Sequence, residues 1–114
     1  MYHVYVAGVE PAGFFKSLSL SSALRGLRPA AKILPGFRKS AVFRSGSYQF
    51  ATLIWTDAAA LRSFAGGPAA RDLEALALRN ARYHAAHAFV CETEPTREEI
   101  VTLWRTARHA AAAA

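Results

Sequence analysis

The segment from Leu34 to Phe64 constrains the fold most, because two strand patterns and a capped helix follow one another within it. Pro35-Gly36 predicts a turn into a first strand, Phe37 to Arg44. Ser45-Gly46-Ser47 predicts a hairpin into a second strand, Tyr48 to Trp55. This second strand is apolar on both faces, so the sequence predicts that it is covered on both sides.

Alternation along the first of these strands assigns its side chains to two faces. One face carries Phe37, Ala41 and Phe43, interrupted by Lys39, and the other carries Arg38, Ser40, Val42 and Arg44. After the second strand, Thr56 or Asp57 is expected to cap a helix that ends at Gly66-Gly67.

The rest of the chain adds two strands and three helices. Tyr2 to Val9 alternates aromatic and β-branched residues and predicts a strand. Phe14 to Leu27 has a helical leucine stripe, and a short helical turn could follow Pro29. Pro68 suits the first turn of another helix. Arg82 to Glu92 predicts a fourth strand, although its alanine-rich first half could also extend the preceding helix.

A last helix is predicted by a capping box, in which Thr96 and Glu99 satisfy each other's backbone N–H groups. The predicted order is therefore β-α-β-β-α-α-β-α. This is an α+β, ferredoxin-like pattern with an added C-terminal helix and a four-stranded antiparallel sheet. With helices on one face, the other face is expected to be apolar and to be covered by a second copy of the chain, as in a homodimer.

A length of 114 residues favours one domain, which we expect to span residues 1–109, with residues 110–114 as a disordered alanine tail. The formal charge is +6, but the arginines are scattered and form no basic run, so a nucleic-acid partner is disfavoured. A single cysteine, Cys91, excludes a disulfide framework. No signal peptide or membrane-length apolar run is visible, so a cytoplasmic protein without membrane contact is expected.

Pro35-Gly36-Phe37, Trp55, Asp57, Ala60-Leu61 and Phe64 together form a string that resembles the dimeric α/β-barrel superfamily, in particular antibiotic-biosynthesis-monooxygenase-like domains. The resemblance covers about residues 2 to 92. A weaker similarity is to spheroidene-monooxygenase-like proteins. The resemblance implies a shared scaffold whose members include cofactor-free quinone-forming monooxygenases and haem-degrading or haem-dependent relatives.

Two histidines are the first candidates for chemistry. His84 and His87 would share one face of a helix but lie on opposite faces of a strand. No carboxylate stands at motif spacing to complete a metal site, so no metal is predicted. An imidazole in a pocket could abstract a phenolic proton or bind haem iron. Both residues could equally be ordinary, partly buried histidines.

Aromatic residues supply the remaining candidates. Tyr48 joins His84 and His87 as a candidate catalytic residue. The candidate substrate-binding residues are Tyr5, Arg38, Trp55, Phe64 and Tyr83. Aromatic walls with few polar groups suit a flat apolar substrate, and an arginine could anchor its oxygen. Each aromatic could instead be core.

Three functions follow as hypotheses. The first is a small oxygenase that acts without a cofactor on an aromatic or polycyclic substrate in a pocket between sheet and helices. The second is a non-catalytic dimer that binds a small hydrophobic molecule or haem. The third is an RNA-binding ferredoxin-like domain, which would require exposed aromatic residues on the central strands.

Overall fold

The strands and helices follow the predicted order in a computed structural model, which describes residues 1–113. The elements are β1 (Tyr2–Pro11), α1 (Phe14–Arg25), α2 (Leu27–Lys32), β2 (Phe37–Ser45), β3 (Tyr48–Trp55), α3 (Ala58–Ala65), α4 (Pro68–Asn80), β4 (Ala81–Cys91) and α5 (Arg97–Ala113). The short turn expected after Pro29 is the one-and-a-half-turn helix α2, which itself contains that proline.

The four strands form one antiparallel sheet in the order β2-β3-β1-β4. Val4 on β1 lies opposite Ile54 on β3 and opposite Phe89 on β4, which fixes the register on both sides of the central strand. Strands β1 and β4, the first and last in the chain, are therefore neighbours, and the β2–β3 hairpin forms the other side of the sheet. This arrangement confirms the predicted ferredoxin-like fold.

Each face of the sheet has its own core. The first, here called the helix face, packs against α1 to α4 and includes the buried side chains of Tyr5, Val9, Leu53 and Trp55. The second, here called the α5 face, packs against α5. Its buried residues are Val4, Val6, Phe43, Phe50, Ile54, Ile100 and Trp104. Strand β3, the second of the two inner strands, is buried on both sides, as its two apolar faces predicted.

The expectation for the α5 face needs a correction. The face is apolar, as predicted, but α5 of the same chain covers it, and Trp104 is 0% exposed there. Sequence spacing showed that α5 has an apolar stripe but could not show where that stripe packs. The helix also continues to Ala113, past the expected start of the tail at Ala110, because alanine is the strongest helix former. The prediction for Ala114 lies outside the described residues.

A bulge in β2 overturns the assignment of Phe37. The register shifts between Phe37 and Lys39, so Phe37 lies opposite Trp55 while Lys39 lies opposite Ile54. The ring of Phe37 consequently packs edge-to-face with that of Trp55, at 6.1 Å between centroids, on the helix face. Simple alternation fails here because a bulge adds one unpaired residue to the strand.

The local signals for helix and turn positions are confirmed. Asp57 is the N-cap of α3 and accepts hydrogen bonds from the N–H groups of Ala59 and Ala60. Thr96 and Glu99 form the expected reciprocal capping box. Gly36 and Gly46 adopt positive φ angles of 77° and 63° at the two predicted turns.

Candidate functional site

Strand β4 begins at Ala81, and this settles the orientation of the two histidines. His84 lies opposite Val9, on the helix face, and His87 lies opposite Val6, on the α5 face. Residues an odd number apart on a strand point to opposite sides. The two imidazoles therefore belong to different environments and cannot act at one site.

A cavity of about 420 Å³ lies on the helix face, between β1 and β4 on one side and α4 on the other. Its inner wall is buried and apolar, and is formed by Tyr5, Ala7, Val9, Ala70, Leu73 and Ala77. Its rim carries the half-buried His84 and the exposed Arg71 and Glu74. An apolar interior with a few polar groups at one side is the usual form of a small-molecule site.

The cavity exists because small side chains face α4 at this point of the sheet. Ala7 and Ala86 lie opposite each other on β1 and β4, and Ala70 and Ala77 face them from α4. Four alanines leave space that larger residues would fill.

Tyr5 is the buried polar group of the cavity. Burial raises the pKa of its hydroxyl above the usual 10.0, and the negative charge of Glu74 raises this pKa further. The ring is 6% exposed and is held edge-to-face against Phe64, at 5.2 Å between centroids. Tyr5 therefore remains a neutral phenol at physiological pH and can donate a hydrogen bond to a ligand oxygen.

Arg71 and Glu74 line the cavity but were not among the candidates from the sequence. Arg71 is anchored by donating a 2.6 Å hydrogen bond to the carbonyl of Gly66, at the junction of α3 and α4. Glu74 is four residues after Ala70 and three before Ala77, so helical spacing placed it beside the buried stripe. This spacing next to the buried alanines was the one feature of the sequence that could have identified Glu74 as a residue at the rim of the cavity.

Trp55 and Phe64 lie behind the cavity and do not line it. Trp55 is 0% exposed and donates a hydrogen bond of 3.1 Å from its indole nitrogen to the carbonyl of Ala31. Phe64 packs between Tyr5 and Trp55. Their position makes them core residues that support Tyr5, and neither contacts the cavity as a substrate-binding residue would.

Tyr48, Tyr83 and His87 lie on the other side of the sheet, beneath α5. Trp104 packs against all three rings, with centroids 5.4 to 6.4 Å away. Arg108 hydrogen-bonds the Tyr48 hydroxyl and places its guanidinium 4.0 Å from the centroid of the Tyr83 ring. The structure therefore separates these three candidates from the cavity and makes them part of the α5 contact.

Arg38 is also outside the cavity. It is exposed at the bulge of β2, and its guanidinium lies 5.8 Å from the centroid of the Tyr2 ring. Of the eight candidate residues, the structure brings Tyr5 and His84 together in one cavity. The strand register and the bulge in β2 decide which side chains reach the cavity, and both depend on contacts between distant segments. Residue type alone therefore could not select Tyr5 and His84 from the eight candidates.

Within residues 1–113, no three histidine, cysteine, aspartate or glutamate side chains are grouped closely enough to hold a metal ion. No helix in this range is long and apolar enough to cross a membrane. The central strands also lack the exposed aromatic residues that the RNA-binding hypothesis requires, since Tyr5, Phe50 and Trp55 are all buried.

No protein-family model matches the chain, and no curated protein matches it either. Solved structures do match. A cofactor-independent oxygenase from Streptomyces nogalater, SnoaB, is 14% identical with a TM-score of 0.63, over 82% of this chain and 95% of its own. A dimeric ferredoxin-like protein of unknown function from Jannaschia sp. CCS1 is 20% identical with a TM-score of 0.64, over 82% of this chain and 100% of its own.

A proposed antibiotic biosynthesis monooxygenase from Nitrosomonas europaea is 8% identical with a TM-score of 0.65, over 83% of this chain and 94% of its own. Identities this low carry information about the fold and leave the reaction open. The chain therefore shares the ferredoxin-like α+β fold of these solved structures, as its sequence resemblance predicted.

Proposed function

We propose that this protein is a small oxygenase that oxidises an electron-rich, polycyclic aromatic substrate in the cavity between β1, β4 and α4. The observation that supports this most is the convergence of Tyr5 and His84 on one apolar cavity of about 420 Å³. The fold shared with a cofactor-independent oxygenase is consistent with this function.

The proposed reaction needs a base, an oxyanion donor and a dry cavity. The imidazole of His84 accepts a proton from the ring CH₂ of an anthrone-type substrate, and the resulting anion, whose charge is delocalised onto the carbonyl oxygen across the ring, is the electron donor. The neutral hydroxyl of Tyr5 donates a hydrogen bond to the developing oxyanion. Molecular oxygen is the oxidant: one of its atoms becomes the new carbonyl oxygen of the product, the other leaves as water, and a ring CH₂ becomes C=O. The substrate supplies all the electrons, so no cofactor is required.

The register limits the size of the substrate. Tyr5 and His84 share a face but are offset by four residues on adjacent strands. Their Cα atoms are therefore roughly 14 Å apart, from the rise along a strand and the spacing between strands. A single-ring phenol is too short to contact both side chains, whereas a flat molecule of several fused rings spans them.

The test is oxygen uptake by the purified protein with a panel of anthrones and hydroquinones of increasing ring number. We expect turnover with polycyclic members and a loss of about 10²- to 10⁴-fold in His84→Ala, the range for removing a general base. His87→Ala is the matched control, since this imidazole lies on the other face of the sheet. No uptake with any substrate, or equal loss in both variants, contradicts the proposal.

Haem binding without catalysis is the second candidate function. His84 offers an imidazole at the cavity, and Arg71 at the rim offers a guanidinium suited to a propionate. Titration with haem should then give a Soret band that is lost in His84→Ala and retained in His87→Ala. The absence of a band in the wild-type protein removes this candidate.

The homodimer and the cytoplasmic location remain predictions from the sequence. The dimeric relative from Jannaschia supports the first. The surface that was expected to make the dimer, the α5 face, is covered by α5 of the same chain.

A further inference from the structure

We propose that one end of this protein docks on an anionic membrane surface, where Phe14, Phe15 and Leu18 insert among the lipids and Arg44 and Arg82 bind headgroup phosphate. This part of the molecule, here called the hairpin end, is where β1 ends, the β2–β3 hairpin turns and β4 begins. It shares no lining residue with the cavity beneath α4, so the proposal stands whether or not the protein is an oxygenase.

The strand register brings several segments together at the hairpin end. Val9, near the end of β1, lies opposite Gln49 on β3 and opposite His84 on β4. The chain leaves β1 at Pro11 and begins α1 at Phe14, so the first turn of this helix lies at the same end. A cleft of about 320 Å³ is shared by these segments, and its polar and aromatic lining residues are Glu10, Phe14, Ser17, Arg44, Ser47 and Arg82.

Three large apolar side chains are exposed at the start of α1. Phe14 is 72% exposed, Phe15 is 82% exposed and Leu18 is 57% exposed. The two phenylalanine rings pack edge-to-face at 5.4 Å between centroids, and Leu18 follows Phe14 by one helical turn on the same side. A contiguous exposed apolar patch marks a contact surface. Helices that bind at the surface of a bilayer insert such side chains at the boundary between headgroups and acyl chains.

Basic side chains surround this apolar patch. Arg44 and Arg82 line the cleft beside it, and Lys16 is exposed in the same turn of α1. Within residues 1–113, neither arginine is in an ion pair. The acid of the cleft, Glu10, accepts a hydrogen bond of 2.8 Å from Ser47 Oγ. Both guanidinium groups are therefore available for a phosphate group, which their planar arrangement of donors suits.

Arg44 is already held in position at the cleft. Its Nη2 atom donates a 2.8 Å hydrogen bond to Ser17 Oγ, which also accepts a 2.7 Å bond from Nε2 of the buried Gln49. Because Ser17 Oγ accepts both bonds, its own hydrogen remains to be donated to a phosphate oxygen. An arginine that is anchored before binding loses less side-chain entropy when the phosphate arrives.

The charges of the chain are distributed along the sheet in the direction that the proposal requires. Five of the eight acidic residues follow the opposite ends of β3 and β4, where they offset the basic residues, and these acids are Asp57, Glu92, Glu94, Glu98 and Glu99. At the hairpin end, Glu10 stands against four cations, Lys16, Arg44, Arg82 and Arg108. The ten residues of β1 separate the two ends by about 30 Å, which is several Debye lengths at physiological salt. An anionic surface therefore attracts the hairpin end more strongly than the other end.

Docking on a surface does not need a segment that crosses the bilayer. The sequence predicted no membrane contact because it has no apolar run of that length. A few large apolar side chains at the depth of the acyl chains, together with basic residues at the headgroups, are sufficient for reversible binding. Nucleic acid would also be attracted by the basic residues, but its bases stack on aromatic rings and make no use of an exposed Leu18.

The test is flotation of the full-length protein with vesicles of phosphatidylcholine, either alone or in equal parts with phosphatidylserine. We expect the wild type to bind the mixed vesicles and to be released as the salt concentration rises. Phe14→Ser combined with Phe15→Ser should lower the partition coefficient about 100-fold or more, because two apolar side chains no longer enter the lipid. Ile33→Ser combined with Val90→Ser is the matched control, since these side chains are 79% and 59% exposed at the other end of the sheet.

A second pair of variants tests the phosphate contacts. Arg44→Gln combined with Arg82→Gln should weaken partitioning about 30-fold, the usual effect of two basic residues at an anionic surface. Arg38→Gln combined with Arg97→Gln removes the same charge at the other end and should change partitioning by less than about twofold. All the substituted residues are exposed, so we expect each variant to fold, and a melting curve for each variant checks this.

Four results overturn the proposal. The first is that the wild type does not bind the mixed vesicles, or that a pair of variants and its control lose binding equally. The second is binding of inorganic phosphate at the two arginines without binding of vesicles, which would assign the cleft to a soluble phosphate compound. The third is a wild-type dimer that dissociates in the phenylalanine pair, which would show that a second copy covers the patch. The fourth is binding of single-stranded RNA in preference to the mixed vesicles.

Discussion

The indole ring of Trp104, near the end of the chain, lies so close to Gly8 that a Cβ atom there would come within 2.6 Å of it. Glycine on a central strand normally weakens a sheet. Here it admits the largest side chain of α5, which is 0% exposed. The contact joins two positions that are far apart in sequence and holds α5 on the sheet.

Trp104→Ala should lower the free energy of unfolding by about 3–5 kcal/mol, the usual cost of truncating a large buried aromatic residue. The lost ring leaves a void above Gly8 and an unpaired carbonyl at Ala85. Urea denaturation measures the difference. Arg105→Ala, on the exposed side of the same helix, should change the stability by less than about 0.5 kcal/mol. Equal effects would contradict the central role of Trp104.

His87 should make the protein less stable in weak acid. Burial lowers the pKa of its imidazole below the usual 6.5, and its Nε2 atom has no partner among the described residues. Below pH 6.5 the unfolded chain therefore binds a proton more readily than the folded chain does. The contribution of His87 to the unfolding free energy should fall as the pH decreases through 6.5 and be constant well above it.

This pH dependence is measured by urea denaturation at a series of pH values. His87→Leu should flatten the slope below pH 6.5, whereas His109→Gln, at an exposed position of α5, should leave it unchanged. A slope that persists in His87→Leu would assign the acid sensitivity to other groups.

Tyr5→Phe should lower turnover of the proposed oxygenase more than it lowers stability. The ring contact with Phe64 is retained, while the hydroxyl that donates to the substrate oxyanion is lost. Removing one oxyanion donor typically reduces kcat about 10²- to 10³-fold. The measurement is steady-state oxygen uptake together with a melting curve for each variant. A parallel loss of stability would indicate a structural role for the hydroxyl.

The two turn glycines should respond differently to alanine. Both adopt positive φ angles, so each substitution should cost about 1–2 kcal/mol for the left-handed backbone. At Gly36 a Cβ would also lie 2.8 Å from Thr56 Oγ1, whereas at Gly46 nothing lies within 4 Å. Gly36→Ala should therefore be the more destabilising change. Comparable unfolding midpoints for the two variants would contradict this.

Much of the fold could be predicted from local signals. The proline and glycine turns, the Asp57 cap, the Thr96–Glu99 capping box and the alternation in β1 each depend on neighbouring residues, so they are visible in the sequence. Phe14 and Leu18 show the limit of this approach. They adjoin the leucine stripe of α1 by helical spacing, yet they are exposed, because this turn contacts the sheet through Ser17, which hydrogen-bonds Arg44 and Gln49.

The candidate site was only partly predictable. Tyr5 and His84 were among the candidates, but Arg71 and Glu74 were not, and six other candidates lie outside the cavity. An aromatic residue in the core and one in a cavity have the same sequence pattern. What distinguishes them is which helix packs above them and how large its side chains are.

The sequence by itself determined the order of the elements, the antiparallel sheet and the apolar character of both its faces, because these follow from periodicity and from turn chemistry. Only the tertiary structure decided which histidine faces the cavity, that Phe37 changes face at a bulge, and that α5 covers the second face of the sheet. The physical reason is that strand register and helix docking are fixed by contacts between distant segments, such as Gly8 with Trp104, and no local pattern encodes those contacts.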